Sequence, residues 1–209
     1  MKALLLKEFL ATWNQGRFMM LLALIYCIMA VTGSGYFFAG FSVIFMSMLP
    51  ITVMGWDEKS KWDHYALTMP YSRKDMVLSK YVFSLICTFT ATIVYIIATI
   101  VKWYFLKQPF DFVSLIDETM LMLSAGLFFS AVNFPIMFKL GVEKGRMWFI
   151  LITVILASGI ASSIKLAELD PTHLESIIQR VTSIMPVISV GLLFISAVFS
   201  IKIYGKREF

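Results

Sequence analysis

The stretch DEKSKWDHYALTMPYSRKDMVLSK, Asp57 to Lys80, decides how the rest of this sequence is read, because it is the longest polar interruption in a very apolar chain. Four acids (Asp57, Glu58, Asp63, Asp75) are interleaved with five bases (Lys59, Lys61, Arg73, Lys74, Lys80), and Trp62, Tyr65 and Leu67 lie among them. Upstream, no charge occurs from Phe18 to Gly55. As one helix that run would reach about 57 Å, far beyond a hydrocarbon core of about 30 Å, so it must fold back. Gly33, Ser34 and Gly35 supply the turn and predict spans of about 18–32 and 36–55. Downstream, Tyr81 to Val101 is a third apolar span closed by Lys102 and Trp103.

The whole chain has the same character. It is 59% apolar and 15% charged, with a mean hydropathy of +0.83, where a soluble domain has about 45–50% apolar and about 25% charged residues. With 209 residues and about 20 residues per crossing, there is room for six spans and little else. The remaining spans are expected at about 120–138, interrupted by Asn133 and Pro135, at 147–164, where small residues four apart favour close helix approach, and at 182–201, bent or packed around Pro186. Asp170 followed by Pro171 reads as an N-cap and first-turn proline, predicting a short separate helix before the last span.

At the other end, Lys7 and Glu8 break the leading apolar run after four residues, too few for a signal peptide. Leu4, Leu5, Phe9 and Trp13 share a helical face, with Lys2, Lys7 and Glu8 away from its centre, which predicts an interfacial amphipathic helix over 2–14. A frayed leader is the other reading of the same residues. Fourteen of the eighteen Lys and Arg fall on the side of the termini and of Asp57 to Lys80. The positive-inside rule puts that side in the cytoplasm. The net charge of +5 is spread over the edges of apolar runs, which argues orientation and not nucleic acid. Cys27 and Cys87 lie in apolar runs as packing residues, with no disulfide assigned.

Chemistry is sparse. No span carries an ionisable group well inside it, His64 and His173 stand alone, and no metal, nucleophile-elbow or phosphate-loop motif occurs. These residues speak against an intramembrane enzyme and against ion-coupled transport, so energy for any transport has to come from elsewhere. Within Asp57 to Lys80, Trp62, Tyr65 and Met69 recur at helical spacing. Pro70 disfavours helix at Met69, and Ser72 can cap a new helix that runs through Asp75 into the third span. A solvated connector whose aromatics rest on the headgroups fits the same residues.

Two patches resemble the permease subunits of ABC-2 type bacterial ABC transporters. One is the Asp57 to Lys80 stretch, similar to that family's acidic residue followed by L-x-x-P and R-x-x-x-V-x-x-K; the other is NFPIMFKLGVEKGR, Asn133 to Arg146. The resemblance implies an all-α membrane protein with six transmembrane helices, a cytoplasmic N-terminal helix, a cytoplasmic coupling helix between spans 2 and 3 and a short outer helix before span 6. By resemblance, Asp57, Glu58, Lys61, Trp62, Tyr65, Pro70, Arg73 and Lys80 couple to a separate P-loop ATPase, and Pro135, Lys139, Gly141 and Arg146 fix the cytoplasmic end of spans 4 and 5. It further implies a second permease subunit, ATP and Mg bound only by the partner ATPase, a bacterial plasma-membrane location with both termini cytoplasmic, and export of amphipathic or antimicrobial peptides or lipid-like compounds. Fourteen Met and nineteen Phe suit an adaptable pathway, although such residues more often pack or face lipid. A membrane sensor or scaffold binding a cytoplasmic partner is the non-transport alternative.

Overall fold

The computed structural model describes residues 2–32, 36–66, 68–106, 112–148, 151 and 171–206. The helices are α1 (Lys2–Gln15), α2 (Arg17–Thr32), α3 (Tyr36–Ser47), α4 (Leu49–Lys59), α5 (Trp62–Ala66), α6 (Arg73–Leu106) and α7 (Phe112–Leu140). After α7 come α8, over residues 142–148, and α9 (Pro171–Gly205). Among the described residues there is no strand, and four helical stretches are long and apolar enough to cross a membrane: Gly40–Lys59, Arg73–Phe105, Phe112–Leu140 and Ile184–Gly205. Arg17–Ala30 is a shorter apolar helix. Most of the span expected at 147–164 lies outside the described residues.

Three expectations are corrected. The span expected over 36–55 is two helices meeting at Met48, because Pro50 has no N–H to give and its ring crowds the carbonyl four residues back. The short outer helix is not separate: Pro171 to Gly205 form one helix. No Gly or Pro intervenes between Pro171 and Pro186 to end it, so a started helix continues. The third correction concerns α1. Its protein-facing residues are Leu4, Glu8 and Thr12, whereas Leu6, Phe9, Leu10 and Trp13 are exposed. A helix with a carboxylate inside and four large apolar groups outside would be inverted in water. At a membrane interface that arrangement places the apolar stripe in lipid.

α7 is central, packing along α9 on one side and against α3 and α6 on the others. Hydroxyl groups and small residues make these contacts. Ser84 of α6 is hydrogen-bonded to Ser130 of α7 at 2.6 Å, and the Tyr81 hydroxyl is bonded to Ser196 and Ser200 of α9 at 2.7 and 2.8 Å. Such bonds between helices contribute about 0.6 to 2 kcal/mol each in a membrane. Pro135 lies inside α7 without interrupting it. Its missing N–H leaves the Ala131 carbonyl without a helical donor, and Ser196 of α9 donates to that carbonyl at 2.6 Å. A proline defect has thus become a helix contact.

The tightest approach is at Gly126, where an added Cβ would lie 2.6 Å from Thr88 Cγ2 and 2.9 Å from Val43 Cγ1. Neither branched side chain can move without disturbing its own helix. Gly126→Ala is therefore expected to destabilise the bundle by about 1–3 kcal/mol, measured as a lower unfolding midpoint in detergent. An unchanged midpoint would mean that α3, α6 and α7 are not in such close contact.

Candidate functional site

The polar stretch does not form one helix. Asp57 and Glu58 belong to the last turn of α4, Ser60 and Lys61 make a turn, and α5 has only five residues. Lys61 has φ +53°, a left-handed backbone that ends α4 and redirects the chain. After α5, residues 68–70 form a turn and α6 begins at Arg73. As the sequence suggested, Ser72 caps it: Ser72 Oγ accepts from the Asp75 N–H at 3.1 Å, and Asp75 Oδ2 accepts from the Ser72 N–H at 3.3 Å. This is a reciprocal capping box with Asp in place of Glu. The segment from Arg73 to Lys80 is thus the rigid start of α6.

Beneath this surface lies a group of four charges from three helices. Lys80 of α6 contacts Glu8 of α1 at 2.6 Å and Asp57 of α4 at 2.5 Å, while Lys7 pairs with Asp57 and reaches Glu8 at 3.3 Å. Glu8, Asp57 and Lys80 are only 2%, 7% and 8% exposed. Two positive and two negative charges sum to zero. That balance is what makes burial tolerable, since each ion would otherwise lose several kcal/mol of solvation, of order 3 or more. The quartet fastens α1 to α4 and α6.

Further bonds tie the neighbouring elements together. Glu58 Oε2 accepts from the Val142 N–H at 2.7 Å, capping the start of α8 with a negative charge where the helix dipole favours one. Gly141, at φ +80°, ends α7 in the left-handed conformation natural to glycine. The Tyr204 hydroxyl donates to Asp63 Oδ1 at 3.0 Å, and Arg73 Nη1 donates to the Gly205 carbonyl at 2.9 Å, closing the C-terminal end of α9. Glu8, Asp57, Glu58, Asp63, Lys80 and Tyr204 surround a cavity of about 40 Å³, wide enough to admit water. Glu8 Oε2 has no hydrogen-bond partner among the described residues.

The expected coupling residues therefore divide. Asp57, Glu58, Arg73 and Lys80 make internal bonds, and Trp62 packs on the core with the Lys7 ammonium 4.9 Å from its ring centroid. Tyr65, Lys61 and Pro70 are exposed. On the second patch, Gly141 meets Glu58 and Arg146 lies beside Gly55, whereas Pro135 sits a full turn deeper and Lys139 is exposed. Lys7, Glu8, Asp63 and Tyr204 join the site without having been singled out. Lys7 and Glu8, charges inside an apolar leader, and Asp63, within the polar stretch, carried a signal in the sequence, whereas Tyr204 carried none.

The arrangement is a junction of five helices, α1, α4, α6, α8 and α9, joined by charged and polar contacts, with the partly exposed α5 on top. A family model described as ABC-2 family transporter protein matches residues 3–205. No curated protein matches the sequence.

Proposed function

Because the chain belongs to the ABC-2 family of transporter proteins, we propose that it is the permease subunit of an ATP-driven exporter, with α5 and the turn after it as the docking element for a separate cytoplasmic P-loop ATPase. That partner binds ATP with Mg and hydrolyses the ATP. This chain supplies the path through the membrane together with a second permease copy or a related chain. Amphipathic peptides or lipid-like compounds are the cargo class that suits its apolar, Met- and Phe-rich spans.

The observation that carries the reading is the contrast within α5. Trp62 and Asp63 anchor it to Lys7 and Tyr204, while Tyr65 is 64% and Met69 of the following turn 42% exposed. A surface aromatic on a rigid base is the kind of anchor that dominates protein interfaces. Movement of α5 would be passed to α1 through Trp62, to α9 through Asp63 and to α6 through the capped turn.

Tyr65→Ala with Met69→Ala removes the exposed anchor and leaves the internal bonds. The double variant is expected to insert and unfold as the native protein does, yet to lose at least about tenfold in ATPase co-purification and in permease-stimulated ATP turnover, the scale of one interface hot spot. Native levels of both would refute the docking assignment.

A further inference from the structure

On the far side of α4 from the charge quartet is a hollow of about 440 Å³ between α2, α4 and α8. Its floor is apolar, formed by Met19, Met48 and Ile51, and its rim carries Trp56, Lys59 and Arg146. We infer that this hollow is a binding site for an anionic phospholipid of the inner leaflet, with one acyl chain on the floor and the phosphate held by Lys59 and Arg146.

Four observations lead there. The volume falls in the range of formed small-molecule sites, about 300–1,000 Å³. Depth and chemistry run together: Lys59 ends α4 and Met48 precedes its first residue, so the floor reaches about 16 Å below the rim at 1.5 Å per residue, a depth suited to an acyl chain. Neither Lys59 nor Arg146 forms an ion pair within 4.0 Å with any described residue, whereas Lys7 and Lys80 are fully engaged. Finally, the basic groups are placed by their surroundings. Gly55 leaves room for the Arg146 guanidinium, whose Nη2 lies 3.5 Å from where a Cβ would stand, and Lys59 rests 5.4 Å from the ring centroid of Trp56.

Glu143 also lines the hollow and opposes an anion. Two bases against one acid leave a net positive rim, and exposed Trp56, at 45%, is the residue type that settles at the headgroup level. Basic pockets between helices on the cytoplasmic side are suited to anionic headgroups. A bound lipid would wedge α2 and α8 against α4 next to the Glu58 cap. The inference stands apart from ATPase docking and survives if that assignment fails.

The test is native mass spectrometry of the full-length protein released from nanodiscs of phosphatidylglycerol and phosphatidylethanolamine in equal amounts. Preferential retention of phosphatidylglycerol is expected, falling by about five- to thirtyfold in Lys59→Gln with Arg146→Gln, since each base near the surface contributes about a factor of five. Glu143→Gln should raise retention. Lys144→Gln removes one positive charge, as either single variant does, from exposed α8 surface outside the hollow and should change little. Equal retention of the two lipids, or an equal loss in Lys144→Gln, overturns the site. So does efficient disulfide formation between two copies of Thr52→Cys, which would show that a second permease, and not lipid, covers the hollow.

Discussion

Replacing Lys80 by methionine is expected to cost about 3–5 kcal/mol of stability, the usual loss when one partner of a buried ion group is removed. Lys80 is 8% exposed and meets both Glu8 and Asp57, so Lys80→Met leaves two largely buried carboxylates facing the single ammonium of Lys7. The expected result is a large fall in the unfolding midpoint in detergent, with α1 detaching first and becoming sensitive to protease. Glu8→Gln in the same chain restores neutrality and should recover about half of the loss or more, a strong coupling of the kind seen between groups in contact. If Lys80→Met unfolds at the native midpoint, or Glu8→Gln only adds to the damage, the four charges do not act as one neutral unit.

Gly141→Ala should come next in size, at about 2–4 kcal/mol. The left-handed φ of +80° costs a residue with a Cβ about 1–2 kcal/mol, and the new methyl would overlap Glu58 Oε1. That carboxylate is a flexible end and can move aside, but only by giving up the Val142 N–H, an unmade buried bond worth about 1–3 kcal/mol. Glu58→Ala loses the same bond without the overlap. The double variant should therefore be hardly worse than Gly141→Ala alone, and full additivity of the two losses would show that the residues do not meet.

Much of the bundle was legible from the sequence, and the failures share a cause. The apolar runs of α6 and α7 were plain, as was the Ser72 cap, because both depend on local residues. α1 was legible as a helix, but the burial of Leu4 and Glu8 was not, because amphipathicity alone assumes water on the polar side. Here Glu8 turns inward to Lys80, and Phe9, Leu10 and Trp13 are left exposed. Trp62 and Tyr65 do lie three apart in one helix, α5, but Trp62 packs on the core while Tyr65 is exposed, a difference set by which elements α5 rests on and not by spacing. Pro135 read as an interruption, for nothing near it announces that Ser196 will take the carbonyl it frees. Membership of the ABC-2 family was visible in the two patches, and the family match over residues 3–205 bears it out; which residues meet an ATPase is a property of the assembled surface.

The charge quartet also sets an order of assembly. Lys7 and Asp57 are 50 residues apart in the chain, and Lys80 is made later still. At about 5–20 residues per second, α1 leaves the ribosome several seconds before its last partner exists. Until then Glu8 lacks the Lys80 ammonium that balances it in the folded chain. α1 is thus locked by partners made after it, and takes its final place only once α4 and α6 have come together beside it.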